Sequence, residues 1–116
     1  AILYTDAFLS KTINFLKKYD DSFETVMFYV SDHGESLGEN GLYLHGFPYA
    51  IAPEVQNHVP AIMWIGKRFK VDREALKKKS TQPFSHDFYF HTVLNFAEIN
   101  SSAYKPELDI LHGIHQ

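Results

Sequence analysis

The chain contains no cysteine, so it can form no disulfide of its own and says nothing direct about its redox compartment. No apolar stretch approaches the roughly 20 residues that a membrane span needs, and no signal peptide is recognisable. The chain therefore reads as a soluble piece, and any membrane anchor is expected in a segment outside it. Basic residues are too few to mark a nucleic-acid binder: 11 Lys and Arg stand against 14 Asp and Glu, for a net charge of -3. Internal repeats, linkers and low-complexity tracts are absent as well.

What is abundant is packing material. Hydrophobic residues make up 45% of the 116 positions and aromatics 16%, including ten Phe and seven Tyr, which argues against disorder. A chain of this length supports at most one domain with a modest core.

Residues 1 to about 19 carry Ile2, Leu9, Ile13 and Leu16 at helical spacing, with Phe8, Phe15 and Tyr19 widening the stripe, and Lys17 and Lys18 in the last turn. Asp20-Asp21-Ser22 closes that helix, and no N-cap precedes Ile2, an expectation that residues lie upstream. Thr25 to Val30 is continuously apolar and reads as a strand buried on both faces, as in a parallel sheet covered by helices. Val59 to Gly66 reads as a second buried strand, with Pro60 tolerable near its start. Between them Leu37 to Asn57 shows little helical period, so a long functional loop with one short helix is expected rather than a crossover helix. Asp72 is a plausible cap for a short surface helix ending at Lys77-Lys78-Lys79. Ser85 opens the clearest helix, with Phe84 stapled to Tyr89 and a buried face of Phe90, Val93, Leu94 and Ala97. The tail from Tyr104 to Gln116 is expected to be extended. The whole reads as an α/β sandwich fragment, mostly parallel sheet flanked by helices.

The chemistry is concentrated after the first strand, in Ser31-Asp32-His33-Gly34. These residue types end a strand, so Asp32 and His33 stand at its carboxyl end, where open α/β sheets place ligands. A carboxylate beside an imidazole suits zinc. On spacing alone such a pair is more often a loop cap with a hydrogen-bonded histidine than a metal site. Gly34, Gly38, Gly41 and Gly46 let the loop fold tightly, and His45 returns near its end.

The run SDHGESLGENGLYLHGFPYA, residues 31 to 50, resembles the signature of the lipid A phosphoethanolamine transferases, which include the mobile colistin-resistance enzymes. SDHG alone is shared across the alkaline phosphatase and sulfatase superfamily, whereas GENG and YLHG point to this branch. The likeness extends more weakly from the first helix to SHDFYFHTVL and the LDIL tail. It implies that residues 1–116 are the C-terminal portion of a sulfatase-like catalytic domain. It further implies that Asp32 and His33 bind zinc together with a Glu and a Thr from upstream segments. His45 would contact the substrate phosphate or a second zinc. The implied reaction moves phosphoethanolamine from phosphatidylethanolamine through a threonine to lipid A or a similar acceptor. It would take place at the periplasmic face of the bacterial inner membrane, conferring polymyxin resistance. A sulfatase or phosphoglycerol transferase of the same superfamily, or a non-catalytic module, are the alternatives.

The remaining candidates read as structural. Glu35, Glu39 and Asn40 are expected to support the loop, and Ser36 lacks the elbow of a nucleophilic serine. His86 either approaches the site or packs at its helix start. His58 and His91 read as structural, and His112 and His115 as solvent-exposed. None of Thr5, Thr12, Thr25, Thr81 or Thr92 opens a helix after a strand, so the nucleophile is expected upstream, and this chain alone is not expected to turn over.

Overall fold

The computed structural model describes residues 2–116, with Asn40 described by its backbone alone. The expected role of the Asn40 side chain therefore lies outside the described residues. Helix α1 (Ile2–Lys17) leads into strand β1 (Val26–Val30). A small hairpin follows, β2 (Ser36–Leu37) and β3 (Tyr43–Leu44), joined by a 3-10 turn at Glu39–Gly41. Then come α2 (Glu54–Asn57), β4 (Ala61–Ile65), α3 (Arg73–Lys79) and α4 (Asp87–Phe96). The tail contains a 3-10 turn at Pro106–Leu108 instead of running extended.

β1 and β4 pair antiparallel, Val26 opposite Ile65 and Val30 opposite Ala61. The pair held within this chain is thus not the parallel one expected from its continuous apolarity. The connection explains why: α2 is four residues long and cannot serve as a crossover, so the chain turns back beside its own strand. Nor are the strands buried on both faces. Met27 alone in β1 is buried, and Ile62 in β4 is 42% exposed. α1 lies against β1 but buries only Leu9, leaving Phe8 and Phe15 of its stripe exposed. Two strands are too narrow to cover the whole stripe.

Asp20, read in sequence as a helix terminator, is a buried junction. Its carboxylate accepts from Thr25 Oγ1 at 2.8 Å, and from the Lys67 amide at 3.0 Å on both oxygens. The end of α1, the start of β1 and the exit of β4 are tied by one side chain. The Lys67 amide, and then the Thr25 hydroxyl, hold the Asp20 carboxyl below the ordinary carboxylate range, against the opposing effect of burial. Gly66 is required beside it, because a Cβ there would lie 2.0 Å from Asp20 Oδ1.

A second cluster joins α4 to the tail. Thr92, fully buried, accepts from the Ile110 amide at 3.0 Å, and Leu111 is completely enclosed. The buried residues of α4 are His91, Thr92 and Leu94; Phe90 and Ala97 face outward. Asp72 caps α3 as expected, accepting from the Ala75 amide at 2.9 Å. At α4 the cap position belongs to His86, while Ser85 Oγ accepts a longer bond from the Asp87 amide. Phe84 meets Phe88, and Tyr89 is released to pack on Phe28 of β1, their ring centroids 4.9 Å apart.

Candidate active site

β1 hands the chain to the loop through one last ladder bond, Ser31 N to Pro60 O. Immediately beyond, backbone carbonyls set the geometry. Ser31 Oγ donates to the His33 carbonyl at 2.9 Å, and the Ser31 carbonyl accepts from His86 Nε2 at 2.7 Å. His86 therefore does reach the loop, from the start of α4, and acts through the strand end rather than through its own packing.

His33 Nδ1 lies 2.9 Å from the Gly34 carbonyl. A carbonyl only accepts, so Nδ1 carries a proton, and in the neutral ring Nε2 keeps the lone pair. That lone pair sits 3.6 Å from Asp32 Oδ2. The Asp32 carboxyl is held below its ordinary range, first by the His33 backbone amide, then by its own amide and by the neighbouring imidazoles of His33 and His45. With the His33 ring neutral, the pair offers an ionised carboxylate oxygen and an imidazole lone pair, the donor states a divalent cation requires. Two ligand atoms sharing one tetrahedral zinc stand about 3.3 Å apart, close to the spacing present. Asp32 and His33 fit zinc. Among the described residues no third His, Asp or Glu atom joins them within similar reach, so the pair would fill only part of a coordination shell.

His45 is brought back by the hairpin. Ser36 pairs with Leu44 and Leu37 with Tyr43, and the turn closes through Gly41 N to Gly38 O at 3.0 Å. Glu39 supports the turn by accepting from the Leu37 amide at 2.7 Å. Gln56, buried in α2, clasps both strands by donating to Ser36 Oγ at 2.7 Å and to the Leu44 carbonyl at 3.2 Å. Ser36 is almost wholly buried, in keeping with a structural role. Leu44 adopts a left-handed φ of 68°, a conformation costing a non-glycine residue about 1–2 kcal/mol, at the turn that returns His45 to His33. The His45 ring stacks on His33 with centroids 4.0 Å apart and planes at 29°. Glu35 Oε1 lies 3.8 Å from His45 Nδ1. All three residues singled out in sequence, Asp32, His33 and His45, therefore meet at one exposed corner.

Gln56 and Leu44 were missed in sequence. The other histidines sort by their surroundings. His58 is exposed beside Glu54, and His91 is buried, accepting from the Lys105 amide at 3.1 Å. His112 is exposed, but His115 is not the free tail residue expected: it stacks on Phe69 with centroids 4.4 Å apart. Thr25 and Thr92 are buried and engaged in hydrogen bonds, as befits residues with no nucleophilic role.

Comparison with known proteins agrees with this geometry. The sulfatase family model matches residues 1–99. The phosphoethanolamine transferase EptA of Salmonella typhimurium is 47% identical over 115 residues, covering 95% of this chain and 21% of that protein. The phosphatidylethanolamine transferase Mcr-1 of Escherichia coli is 40% identical over 105 residues, covering 90% and 19%. The crystal structure of the soluble domain of lipooligosaccharide phosphoethanolamine transferase A from Neisseria meningitidis superposes with a TM-score of 0.92 at 49% identity, covering 99% of this chain and 36% of that one. The chain thus spans about a fifth of the length of the curated relatives it matches. A solved integral membrane form of the Neisseria protein matches equally well, whereas no helix among the described residues here is long and apolar enough to cross a membrane. With a family model covering residues 1–99, the chain belongs to the sulfatase family, and the relatives it resembles are phosphoethanolamine transferases.

Proposed function

We propose that this chain is the C-terminal part of the catalytic domain of a zinc-dependent phosphoethanolamine transferase. In this reading it moves phosphoethanolamine from phosphatidylethanolamine to the phosphate of lipid A or a similar acceptor. The observation that carries the reading is the Asp32–His33 pair, its Nε2 lone pair facing a carboxylate 3.6 Å away, with His45 stacked on the same imidazole. It stands in a chain 40–47% identical to named transferases of this type.

Asp32 and His33 hold the zinc, with further ligands from the rest of the domain. When bound, zinc lowers the cost of an alkoxide nucleophile and offsets charge on phosphoryl oxygens. The nucleophile is a threonine of the upstream polypeptide. Its oxygen attacks the phosphodiester phosphorus, diacylglycerol leaves with the electron pair, and a phosphothreonine diester results. The acceptor phosphate oxygen then displaces the threonine in line. His45 stands on the substrate side of His33, placed to donate to a non-bridging phosphoryl oxygen. Glu35 beside it orients its ring. The exposed stripe of α1 and the thinly covered β1–β4 pair are where the remainder of the domain packs, adding strands to this sheet. The site faces the periplasm, with the membrane anchor in a segment outside this chain.

The test is product analysis on the enzyme carrying this chain. Phosphatidylethanolamine and lipid A should yield diacylglycerol and a phosphoethanolamine adduct of lipid A, and His33→Ala should abolish both. Release of sulfate or transfer of glycerol phosphate would assign a different superfamily chemistry. No turnover with any of these donors would make the loop a non-catalytic module. Full activity in protein free of divalent metal would refute the role of Asp32 and His33.

A further inference from the structure

The tail histidine has an environment that its position in the chain did not foretell. His115 Nδ1 lies 2.6 Å from Asn95 Oδ1. The Asn95 amide is not free to flip, because its nitrogen donates to Asp109, which also accepts from Tyr104 at 2.6 Å and from the Leu111 amide at 2.8 Å. Asn95 therefore presents its oxygen and Nδ1 carries the proton, which in the neutral ring leaves Nε2 with the lone pair. That Nε2 is fully buried and has no hydrogen-bond partner. A buried polar atom without a partner is rare in native proteins.

Two carboxylates lie beside the same imidazole. Glu24, at the entry to β1, and Glu98, just past the end of α4, bring oxygens to within 4.8 Å of one another and of the histidine nitrogen. Glu98 is held there by a left-handed φ of 53°. Neither glutamate forms an ion pair among the described residues. A lone pair and two carboxylates are all acceptors, so the group lacks a positive centre, and no Lys or Arg supplies it. We propose that Glu24, Glu98 and His115 form a second divalent-cation site, separate from the Asp32–His33 loop and taking zinc or a similar ion. The Asp109–Asn95–His115 chain is the outer support that metal-bound imidazoles characteristically have on their other nitrogen. Both glutamates are exposed and can rotate to close the spacing to that of a bound ion. Such an ion would clamp three parts of the chain otherwise far apart in sequence: the entry to β1, the end of α4 and the tail. Its role is structural, and catalysis does not pass through it.

The experiment uses the enzyme that carries this chain, stripped with a chelator and titrated with zinc. Glu24→Gln with Glu98→Gln should lower the bound zinc by one equivalent, or weaken that equivalent at least tenfold, with transferase activity unchanged. The 15N resonance of His115 Nε2, assigned through His115→Gln, should shift on addition of zinc in the parent and not in the double variant. The thermal midpoint should rise with zinc more in the parent than in the variant. Equal stoichiometry and affinity in the two proteins would overturn the proposal. So would a His115 signal that zinc leaves in place, since a proton shared with the carboxylates would then be the missing positive centre. Loss of activity with retention of both zinc equivalents would also refute it, by placing the glutamates in the reaction instead.

Discussion

Gly34 is where the ligand loop is most exposed to a single added carbon. A Cβ built on it lies 1.8 Å from the carbonyl oxygen of Val55 and 3.1 Å from the Gln56 Cα, both backbone. Backbone cannot rotate away as a side chain does, so Gly34→Ala must separate the loop from α2 by more than 1 Å (roughly the difference from ordinary contact). That movement breaks the Gly34 N to Gln56 O bond, now 2.9 Å, and loosens the Gln56 clasp on the hairpin. Overpacking of this kind costs about 1–3 kcal/mol, and the lost hydrogen bond about 0.5–1.5 kcal/mol. A total of about 1.5–4.5 kcal/mol follows if the two are taken as separate. The chemical effect is expected to be larger than the stability effect suggests. His33 precedes Gly34 and uses its carbonyl to fix its tautomer, so the same movement misplaces the metal ligand. A displacement of about 1 Å can cost on the order of 100-fold in rate. Gly41→Ala is the control, because nothing lies within 4 Å of its Cβ and only its φ of 75° is strained. Denaturant midpoints, zinc content and transfer rate should be measured on both variants of the enzyme. Gly34→Ala with parental stability, zinc and rate would refute the close-approach argument.

Further outcomes can be checked on the same protein. His45→Ala should reduce transfer by on the order of 100-fold, as for loss of a donor to a developing oxyanion, while zinc at Asp32–His33 is retained; loss of that zinc would make His45 a ligand. His86→Ala should weaken zinc about 10–100-fold through the released Ser31 carbonyl, with little change in melting temperature. Leu111→Ala, at a completely buried position, should cost about 2–5 kcal/mol in denaturant unfolding without altering kcat. For Asp20 the folded carboxyl lies below its ordinary value, so its contribution is complete above about pH 4 and fades as pH falls through the folded value. Asp20→Asn should therefore lower the melting temperature at neutral pH and flatten its fall in acid; an unchanged acid limb would contradict the assignment.

The sequence was most legible where residue type alone constrains the backbone. Asp32 and His33 follow a run of β-formers and cannot extend it, so their place at a strand end was readable. Asp72 before a polar helical stretch was readable for the same kind of reason. The hairpin that returns His45 was not, because strands of two residues carry no period; only the family motif pointed to His45. Gln56 and Asp20 were invisible for a different reason. Their partners are a serine, a carbonyl and a backbone amide, 20, 12 and 47 residues away, and backbone groups leave no trace in composition. Continuous apolarity in β1 was read as burial by a parallel sheet, but it reports how apolar the surroundings are and not which way the neighbour runs. His115 was misjudged because a tail expected to be extended gave no sign of its cover, which comes from Phe69 and Asn95, 46 and 20 residues away.

The histidines suggest how this chain separates ligands from structural rings. Each ring with a carbonyl or amide oxygen as partner has its tautomer set by it, so the informative question is what faces the nitrogen left over. His86 uses Nε2 on the Ser31 carbonyl, and His91 uses Nδ1 to accept from the Lys105 amide; both thereby join separate pieces of chain. His33 and His115 instead commit Nδ1 to an oxygen, and carboxylates stand close to each ring. An acceptor facing acceptors is unfavourable unless a cation stands between them. In His33 the partner is an adjacent residue in a glycine-rich loop, open to substrate. In His115 the partners are gathered from two other elements and the nitrogen is closed off from water. What separates the two rings is burial: His33 stands at an exposed corner, whereas Nε2 of His115 is enclosed.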